Sequence, residues 1–265
     1  MALMHVDFFS NVLGMCMQMD VILPQKTYGQ IGMEGTAEES YPTLYLLHGM
    51  SDDHTIWQRR TSIERYVSDR NLAVVMPSTH LGWYTDMAYG LPYFTYITKE
   101  LPEICRSFFR GMSEKREDTY IAGLSMGGYG ALKAALTRPE TYCAAAALSA
   151  ATDVFVRAQR EDKSGRRHYW ESIFGKPEQV PGSENDLFAL AERCAKGGLK
   201  PELFQCCGTE DDHLEENRRL RDTLQTLGYR LQYREPQGGH SWILWDAEIQ
   251  TVLNWIDEIR RRSPR

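Results

Sequence analysis

The chain has 265 residues, of which 42% are hydrophobic and 25% charged, a balance typical of a folded globular protein rather than a disordered one. Its net charge of −6 provides no basic surface for nucleic acid or anionic lipid, and no apolar run is long enough to span a membrane. We therefore expect one domain over residues 1–265 and a small-molecule substrate, with no nucleic acid and no membrane as partner; a homo-oligomer stays open.

Short β-rich runs alternate with helix-like stretches along the chain, as in a mainly parallel sheet covered by helices on both faces. The first run, CMQMDVILP, alternates like an antiparallel strand. The later runs are TLYLLHG, NLAVVMP, TYIAG, AAAALS, ELFQCCG and YRLQYREP. Helices are predicted over residues 95–109, 127–137, 214–227 and 242–261. The predicted fold class is α/β, and ligands of such sheets bind beyond the carboxyl ends of the strands.

Residues 152–200 depart from this alternation, because they are rich in charge and contain no clear strand. We expect an excursion above the sheet at this point. It either forms a wall or lid of the active site or is a plain surface insertion, and the sequence favours neither.

The opening residues, MALMHVDFFS, carry an early acidic residue and no basic segment before an apolar run, so they do not have the pattern of a signal peptide. We therefore expect a cytoplasmic protein. The six cysteines lack metal-ligand spacing, and a chain of this length needs no disulfides for stability. We interpret them as reduced thiols of the core.

The segment TYIAGLSMGGYGALKAALTR carries a candidate nucleophile, Ser125, in the pattern GxSxG. A predicted strand precedes it and a helix with many small residues follows, which is the arrangement of a nucleophile elbow. Gly123 and Gly127 are expected because the tight turn leaves no room for side chains and its backbone angles favour residues without Cβ. The turn also places Ser125 at a helix N-terminus, whose positive end stabilises an oxyanion.

Two later segments supply the expected partners of Ser125. A serine hydroxyl needs a general base, and His240 follows the last predicted strand in PQGGHSWILWD. The segment ELFQCCGTEDDHL offers the carboxylate Asp211, which we prefer over Asp212, in the chain order serine, acid, histidine. The acid orients the imidazole and stabilises its protonated form. We expect no metal site, because the adjacent Asp211, Asp212 and His213 rarely converge on one ion.

An oxyanion hole needs two backbone N–H donors. We expect one from Met126, directly after the serine, and one from Met50 in LLHGMSDDHTIW, with Gly49 and Ser51 as alternatives to Met50.

Aromatic residues and histidines near these loops are candidates for lining the substrate pocket. They are equally common as core residues, so both interpretations stay open. The candidates are His48, Trp83, Tyr84 and Trp242.

With these motifs in order, nearly the whole chain resembles the esterase D family, which includes S-formylglutathione hydrolases, feruloyl esterases and mycolyltransferases. It is most similar to the family's small bacterial tributyrin-type esterases. The likeness rests on YLLHGMSDDHTIW, STHLGWYTDMAYG with TKELP, GLSMGGYGAL, CGTEDDHL and GGHSWILWD. The resemblance implies an α/β-hydrolase fold, a triad of Ser125, Asp211 and His240, and oxyanion donors at Met50 and Met126.

We therefore expect a cofactor-free serine carboxylesterase that cleaves short-chain acyl esters, with acetylated-sugar and cinnamoyl or feruloyl esters open as substrates. One alternative is an acyltransferase that uses the same triad. Another is an S-formylglutathione hydrolase, although the loop HGMSDDH lacks the cysteine typical of glutathione-ester specialists. A third is a binding protein without catalytic activity.

Overall fold

Eight strands form one sheet in the computed structural model, which describes residues 1–31, 35–162 and 167–262. In chain order they are β1 (Ala2–Ser10), β2 (Met15–Leu23), β3 (Thr43–Leu47), β4 (Ala73–Pro77), β5 (Thr119–Leu124), β6 (Ala144–Leu148), β7 (Glu202–Cys206) and β8 (Leu231–Arg234). Their order across the sheet is β1-β2-β4-β3-β5-β6-β7-β8. The α/β prediction and all seven predicted strands are confirmed.

The sheet is antiparallel at one edge and parallel elsewhere. β2 pairs antiparallel with both β1 and β4, as predicted for CMQMDVILP, and the strands from β3 to β8 run parallel. The sequence analysis missed β1. Most of its side chains are exposed, and its place at the edge follows from pairing with β2 after a turn at Gly14, whose φ is 66°.

Helices cover both faces of the sheet. They are α1 (Ile56–Arg60), α2 (Ile63–Tyr66), α3 (Tyr93–Thr95), α4 (Leu101–Phe108), α5 (Met126–Thr137), α6 (Val154–Asp162), α7 (Arg167–Phe174), α8 (Leu187–Lys196), α9 (Leu214–Thr226) and α10 (Trp242–Arg262). Side chains of α1, α2 and α10 form the core on one face, and those of α4, α5, α8 and α9 form it on the other. None of the described helices is long and apolar enough to cross a membrane.

Three of the four predicted helices match α5, α9 and α10 within one or two residues. The fourth, over residues 95–109, is composite, because a π-helical segment (Tyr96–Glu100) joins α3 to α4. The excursion holds α6, α7, a 3₁₀ turn (Pro177–Gln179) and α8, with no strand among its described residues; residues 163–166 lie outside them. Five of the six cysteines are buried as predicted, whereas Cys16 is exposed on β2.

Lys133 is a buried cation in the middle of α5, only 2% exposed. Its Nζ donates to Thr85 Oγ1 at 2.8 Å and to Asn185 Oδ1 at 2.6 Å, and it lies over the ring of Phe94 at 4.9 Å. Burial lowers the pKa of Lys133 from its usual 10.5 to about 7. The side chain thus ties α5 to the loop after β4 and to the residues before α8.

This burial predicts a pH-dependent stability. Above pH 7 the folded Lys133 has lost its proton while the unfolded chain keeps it until about pH 10.4, so unfolding takes up a proton and stability rises with pH. Relative to Lys133→Met, the wild type should gain up to about 1.4 kcal/mol per pH unit above pH 7. Urea unfolding at pH 7, 8 and 9 measures the difference, and parallel pH profiles of the two proteins would contradict it.

Candidate active site

Ser125 lies at the sharp turn between β5 and α5. Its φ is 52° and its ψ is −116°, a left-handed conformation that a residue with a side chain rarely adopts. Its N–H donates to the carbonyl of Leu148 at 2.8 Å, and its carbonyl accepts from the N–H of Ala151 at 3.3 Å. These bonds to the end of β6 and the residues after it hold the strained turn in place.

The glycines on either side of Ser125 are needed for space. A Cβ on Gly123 would lie 2.4 Å from the carbonyl of Gly127, and one on Gly127 would lie 2.6 Å from the carbonyl oxygens of Leu47 and His48. The steric prediction is therefore confirmed. The prediction about backbone angles is wrong for these two glycines, because the left-handed φ falls on Ser125 itself.

Ser125, His240 and Asp211 form one hydrogen-bonded chain. His240 Nε2 lies 3.0 Å from Ser125 Oγ, and His240 Nδ1 lies 2.9 Å from Asp211 Oδ2. The structure thus brings together three residues that are far apart in sequence, each on a loop beyond the carboxyl end of a different strand, β5, β7 or β8.

Close contact between two loops places the acid beside the imidazole. A Cβ on Gly208 would lie 2.1 Å from the carbonyl oxygen of Gly238, which accepts from the N–H of Glu210 at 2.9 Å. The loop after β7 is therefore pressed against the loop after β8. Asp211 and His240 stand on these two loops.

Asp211 is the buried carboxylate of the pair of adjacent aspartates. Its side chain is fully buried, and its Oδ1 accepts from the N–H of His213 at 2.9 Å. Burial alone would raise the pKa of this carboxyl, but the hydrogen bonds from His240 and His213 outweigh it and hold the pKa below its usual value. Asp212 lines the cavity, and the carboxylate that bonds His240 is that of Asp211.

A cavity of about 620 Å³ opens above Ser125 and His240. Trp83 and Trp242 line it as predicted. His48 and Tyr84 do not line it, and each is only 1% exposed. The prediction of these two as pocket residues is therefore corrected.

His48 and Tyr84 instead support the loop after β3. His48 Nε2 accepts from the N–H of Thr79 at 3.0 Å, its Nδ1 bonds the carbonyl of Gly49 at 2.7 Å, and Tyr84 donates to the carbonyl of His48 at 2.9 Å. Burial lowers the pKa of His48 to about 4, so the ring is neutral near pH 7. Both residues shape the turn that carries Met50.

The two expected oxyanion donors lie at this loop and at the elbow. Met50 lines the cavity, and its N–H donates to no acceptor among the described residues. Gly49 and Ser51, the alternatives to Met50, line the cavity too. Met126 is the first residue of α5 and is fully buried, so only its backbone can serve the site.

The sequence analysis missed seven cavity residues, which are Asp52, Leu124, Arg157, His213, Glu216, Ser241 and Trp245. The ring of Trp245 meets that of His240 edge-on, with 4.8 Å between their centroids. The centroid of the His213 ring lies 5.0 Å from that of His240. His213 lies within CGTEDDHL and Trp245 within GGHSWILWD, so their positions in these motifs were a usable signal. Nothing in the sequence marked Arg157, which α6 brings to the cavity, so the excursion contributes this one described residue to the lining of the site.

Asp211, His213 and His240 place potential metal-ligand atoms within 4.8 Å of one another. Both ring nitrogens of His240 already bond Ser125 and Asp211, and His213 Nε2 accepts from the Arg157 guanidinium at 2.9 Å. A cation there would face the positive charge of Arg157. The chemistry of this group therefore fits a hydrogen-bonded relay better than a metal site.

Comparison with known proteins agrees with this geometry. Residues 10–256 match the model of the Esterase family, described as "Putative esterase". The chain belongs to this family. An acetyl esterase of Caldicellulosiruptor saccharolyticus is 31% identical over 266 residues, which cover 98% of this chain and 99% of that protein.

Two solved structures are also similar. Fluorophosphonate-binding serine hydrolase F of Staphylococcus aureus is 33% identical, with a TM-score of 0.86 over 96% of this chain and 98% of its own. An S-formylglutathione hydrolase of the same organism is 33% identical, with a TM-score of 0.83 over the same shares. The predicted α/β-hydrolase fold and the resemblance to the esterase D family are confirmed, and the protein is a serine carboxylesterase.

The contact between Gly208 and Gly238 predicts that Gly208→Ala separates the two loops. Overpacking of this kind costs about 1–3 kcal/mol, and the shift should weaken the bond from His240 to Asp211 and lower kcat for p-nitrophenyl acetate. Urea unfolding and steady-state kinetics measure both effects. Gly197→Ala is the matched control, because a Cβ there lies 3.4 Å or more from its neighbours. Equal effects of the two substitutions would contradict the prediction.

Proposed function

We propose that the protein hydrolyses short-chain acyl esters, acetyl esters foremost, through an acyl-enzyme on Ser125. The observation that carries the proposal is the continuous hydrogen-bonded chain from buried Asp211 through His240 to Ser125, which opens into the cavity. No cofactor is needed for this chemistry, because the three side chains supply nucleophile, base and orienting acid.

In the proposed acylation, His240 Nε2 accepts the proton of Ser125 Oγ as this oxygen attacks the ester carbonyl carbon. The resulting imidazolium is stabilised by Asp211, whose depressed pKa keeps it ionised, and then gives the proton to the leaving alcohol. Water repeats the sequence on the acyl-enzyme and releases the acid. Since the His240 side chain is 35% exposed, water has access to the base.

The negative oxygen of the tetrahedral intermediate needs donors that are already in place. We assign this role to the backbone N–H groups of Met50 and Met126. Met126 opens α5, so the positive end of the helix dipole adds to its donor.

Aromatic residues form a rigid wall of the cavity. Trp83 donates to the Tyr169 hydroxyl at 2.8 Å and packs on the ring of Trp170 at 4.9 Å between centroids. A wall held by such contacts cannot move aside for a bulky substrate without losing them. The similarity to an acetyl esterase supports the preference for a short acyl group.

An S-formylglutathione hydrolase is the second candidate, favoured by the 33% identical relative of that name. The same serine would act on a thioester. Hydrolysis is preferred over acyl transfer in both cases, because the cavity is open to solvent.

The unpaired, mostly buried cysteines support our proposal of a cytoplasmic protein. Burial raises the pKa of the Cys105 and Cys143 thiols to about 12, so neither forms the thiolate needed for disulfide exchange. The single sheet supports one domain. That the protein binds neither nucleic acid nor membrane stays a prediction, and so does the homo-oligomer.

Ser125→Ala tests the nucleophile. Turnover of p-nitrophenyl acetate should fall by at least about 10⁴-fold, and labelling by a fluorophosphonate probe should be lost. With the wild type, kcat/KM should fall steadily from p-nitrophenyl acetate to p-nitrophenyl octanoate. Turnover of S-formylglutathione tests the second candidate function. Retained turnover in Ser125→Ala would exclude the proposed mechanism, and a preference for octanoate would exclude the short-acyl assignment.

Asp211→Asn and Asp212→Asn distinguish the two aspartates. Loss of the buried charge that orients His240 should lower kcat by roughly 10⁴-fold. Asp212→Asn, a change of the same chemistry one residue away, should alter kcat only modestly. The reverse order of effects would show that Asp211 is not the orienting acid.

A further inference from the structure

We propose that Arg157 recognises a carboxylate, or another planar oxyanion, on the alcohol part of the ester. The proposal rests on the proposed function of Ser125 and His240 and adds the class of ester that the cavity selects. Its basis is the position, support and unused donors of one guanidinium.

Arg157 brings a positive charge into the catalytic cavity. It belongs to α6, and its side chain lines the same cavity as Ser125 and His240. It is the one lysine or arginine among the lining residues, all of which lie in the described part of the chain. It therefore supplies the lysine or arginine charge that an anionic substrate would meet in the cavity.

Aromatic rings hold the guanidinium in place. Its central carbon lies 5.9 Å from the ring centroid of Trp83 and 6.0 Å from that of Trp170. A guanidinium over an aromatic face keeps its charge and leaves its planar edge of donors available. Because the side chain is already ordered, binding to it costs little conformational entropy.

Most donors of Arg157 are unused. Its Nη1 donates to His213 Nε2, while its Nε is buried without a partner, and no carboxylate of the described residues pairs with it. Since His213 Nε2 accepts, the ring proton lies on Nδ1 towards Glu216, and the ring does not neutralise Arg157. A guanidinium with free donors matches the two oxygens of a carboxylate.

The position of Arg157 relative to His240 assigns it to the alcohol part of the ester. His240 protonates the leaving oxygen, so the alcohol lies on the side of its ring. The ring of His213 lies 5.0 Å from that of His240, and Arg157 bonds to His213. The oxyanion loop with Met50 comes instead from β3.

Acidic side chains of the cavity make recognition depend on where the substrate carries its carboxylate. Asp52, Asp212 and Glu216 also line the cavity, so an anion that does not reach Arg157 meets like charge. Esters with the carboxylate at different places on the alcohol should therefore differ in rate.

The test compares kcat/KM for 3- and 4-acetoxybenzoate with the matching acetoxybenzamides, which have nearly the same shape and no charge. The wild type should prefer at least one carboxylate over its amide. Arg157→Gln should reduce this preference by about tenfold or more, the loss expected for a charge-assisted hydrogen bond. Arg157→Lys keeps the charge without the planar fork and should give an intermediate ratio.

Arg219→Gln is the matched control. The Arg219 guanidinium also lies over an aromatic ring, that of Phe188 at 5.9 Å, but it pairs with Asp153 outside the catalytic cavity. In Arg219→Gln, the ratio of kcat/KM for the carboxylate to kcat/KM for the amide should equal that of the wild type.

The proposal is overturned if the wild type prefers neither carboxylate, or if Arg157→Gln lowers carboxylate and amide turnover equally. An equal loss of preference in Arg219→Gln would also overturn it, because the effect would then be general electrostatics. Ser125→Ala keeps the two proposals apart. Amide turnover that survives this substitution contradicts the proposed function, whereas a wild type that depends on Ser125 but prefers neither carboxylate contradicts only the role of Arg157.

Discussion

The strained turn at Ser125 is the constraint on which the rest of the site depends. A left-handed backbone at a residue with a side chain is unfavourable in isolation, and here hydrogen bonds to Leu148 and Ala151 and close contacts of Gly123 and Gly127 maintain it. The closest contacts of these glycines are with backbone atoms, which cannot move aside, so the turn tolerates no larger residue at either position. Strain at the nucleophile is thus supported by the sheet and by α5 together.

The parallel sheet converts sequence order into spatial proximity. Because β5, β7 and β8 run in the same direction, the loops after them meet at one edge, where Ser125, Asp211 and His240 come within hydrogen-bond distance. The strand directions alone set the distances among these three side chains only approximately. The contact of Gly208 with Gly238 brings the last two loops close enough for the acid to reach the imidazole.

Side chains of the excursion lie in and behind the wall of the catalytic cavity. Trp170 of α7 packs against Trp83, and Arg157 of α6 lies over both rings while reaching the cavity. The residues that perform the chemistry come from the ends of strands, and the excursion adds Arg157 to the cavity lining and Trp170 behind Trp83. One fold can therefore serve many esters through changes in a region that the sheet does not constrain.

The sequence by itself determined the fold class, seven of the eight strands and the three residues of the hydrogen-bonded chain, because these depend on local patterns: apolar runs, GxSxG, and the chain order of serine, acid and histidine. It also favoured Asp211 over Asp212, which differ in the structure by burial. Only the tertiary structure decided that His48 and Tyr84 lie beneath the cavity rather than in its wall, and that β1 completes the sheet. The place of Arg157 was decided there too, since its contacts with Trp83 and His213 join segments far apart in the chain, and no local pattern encodes which of them meet.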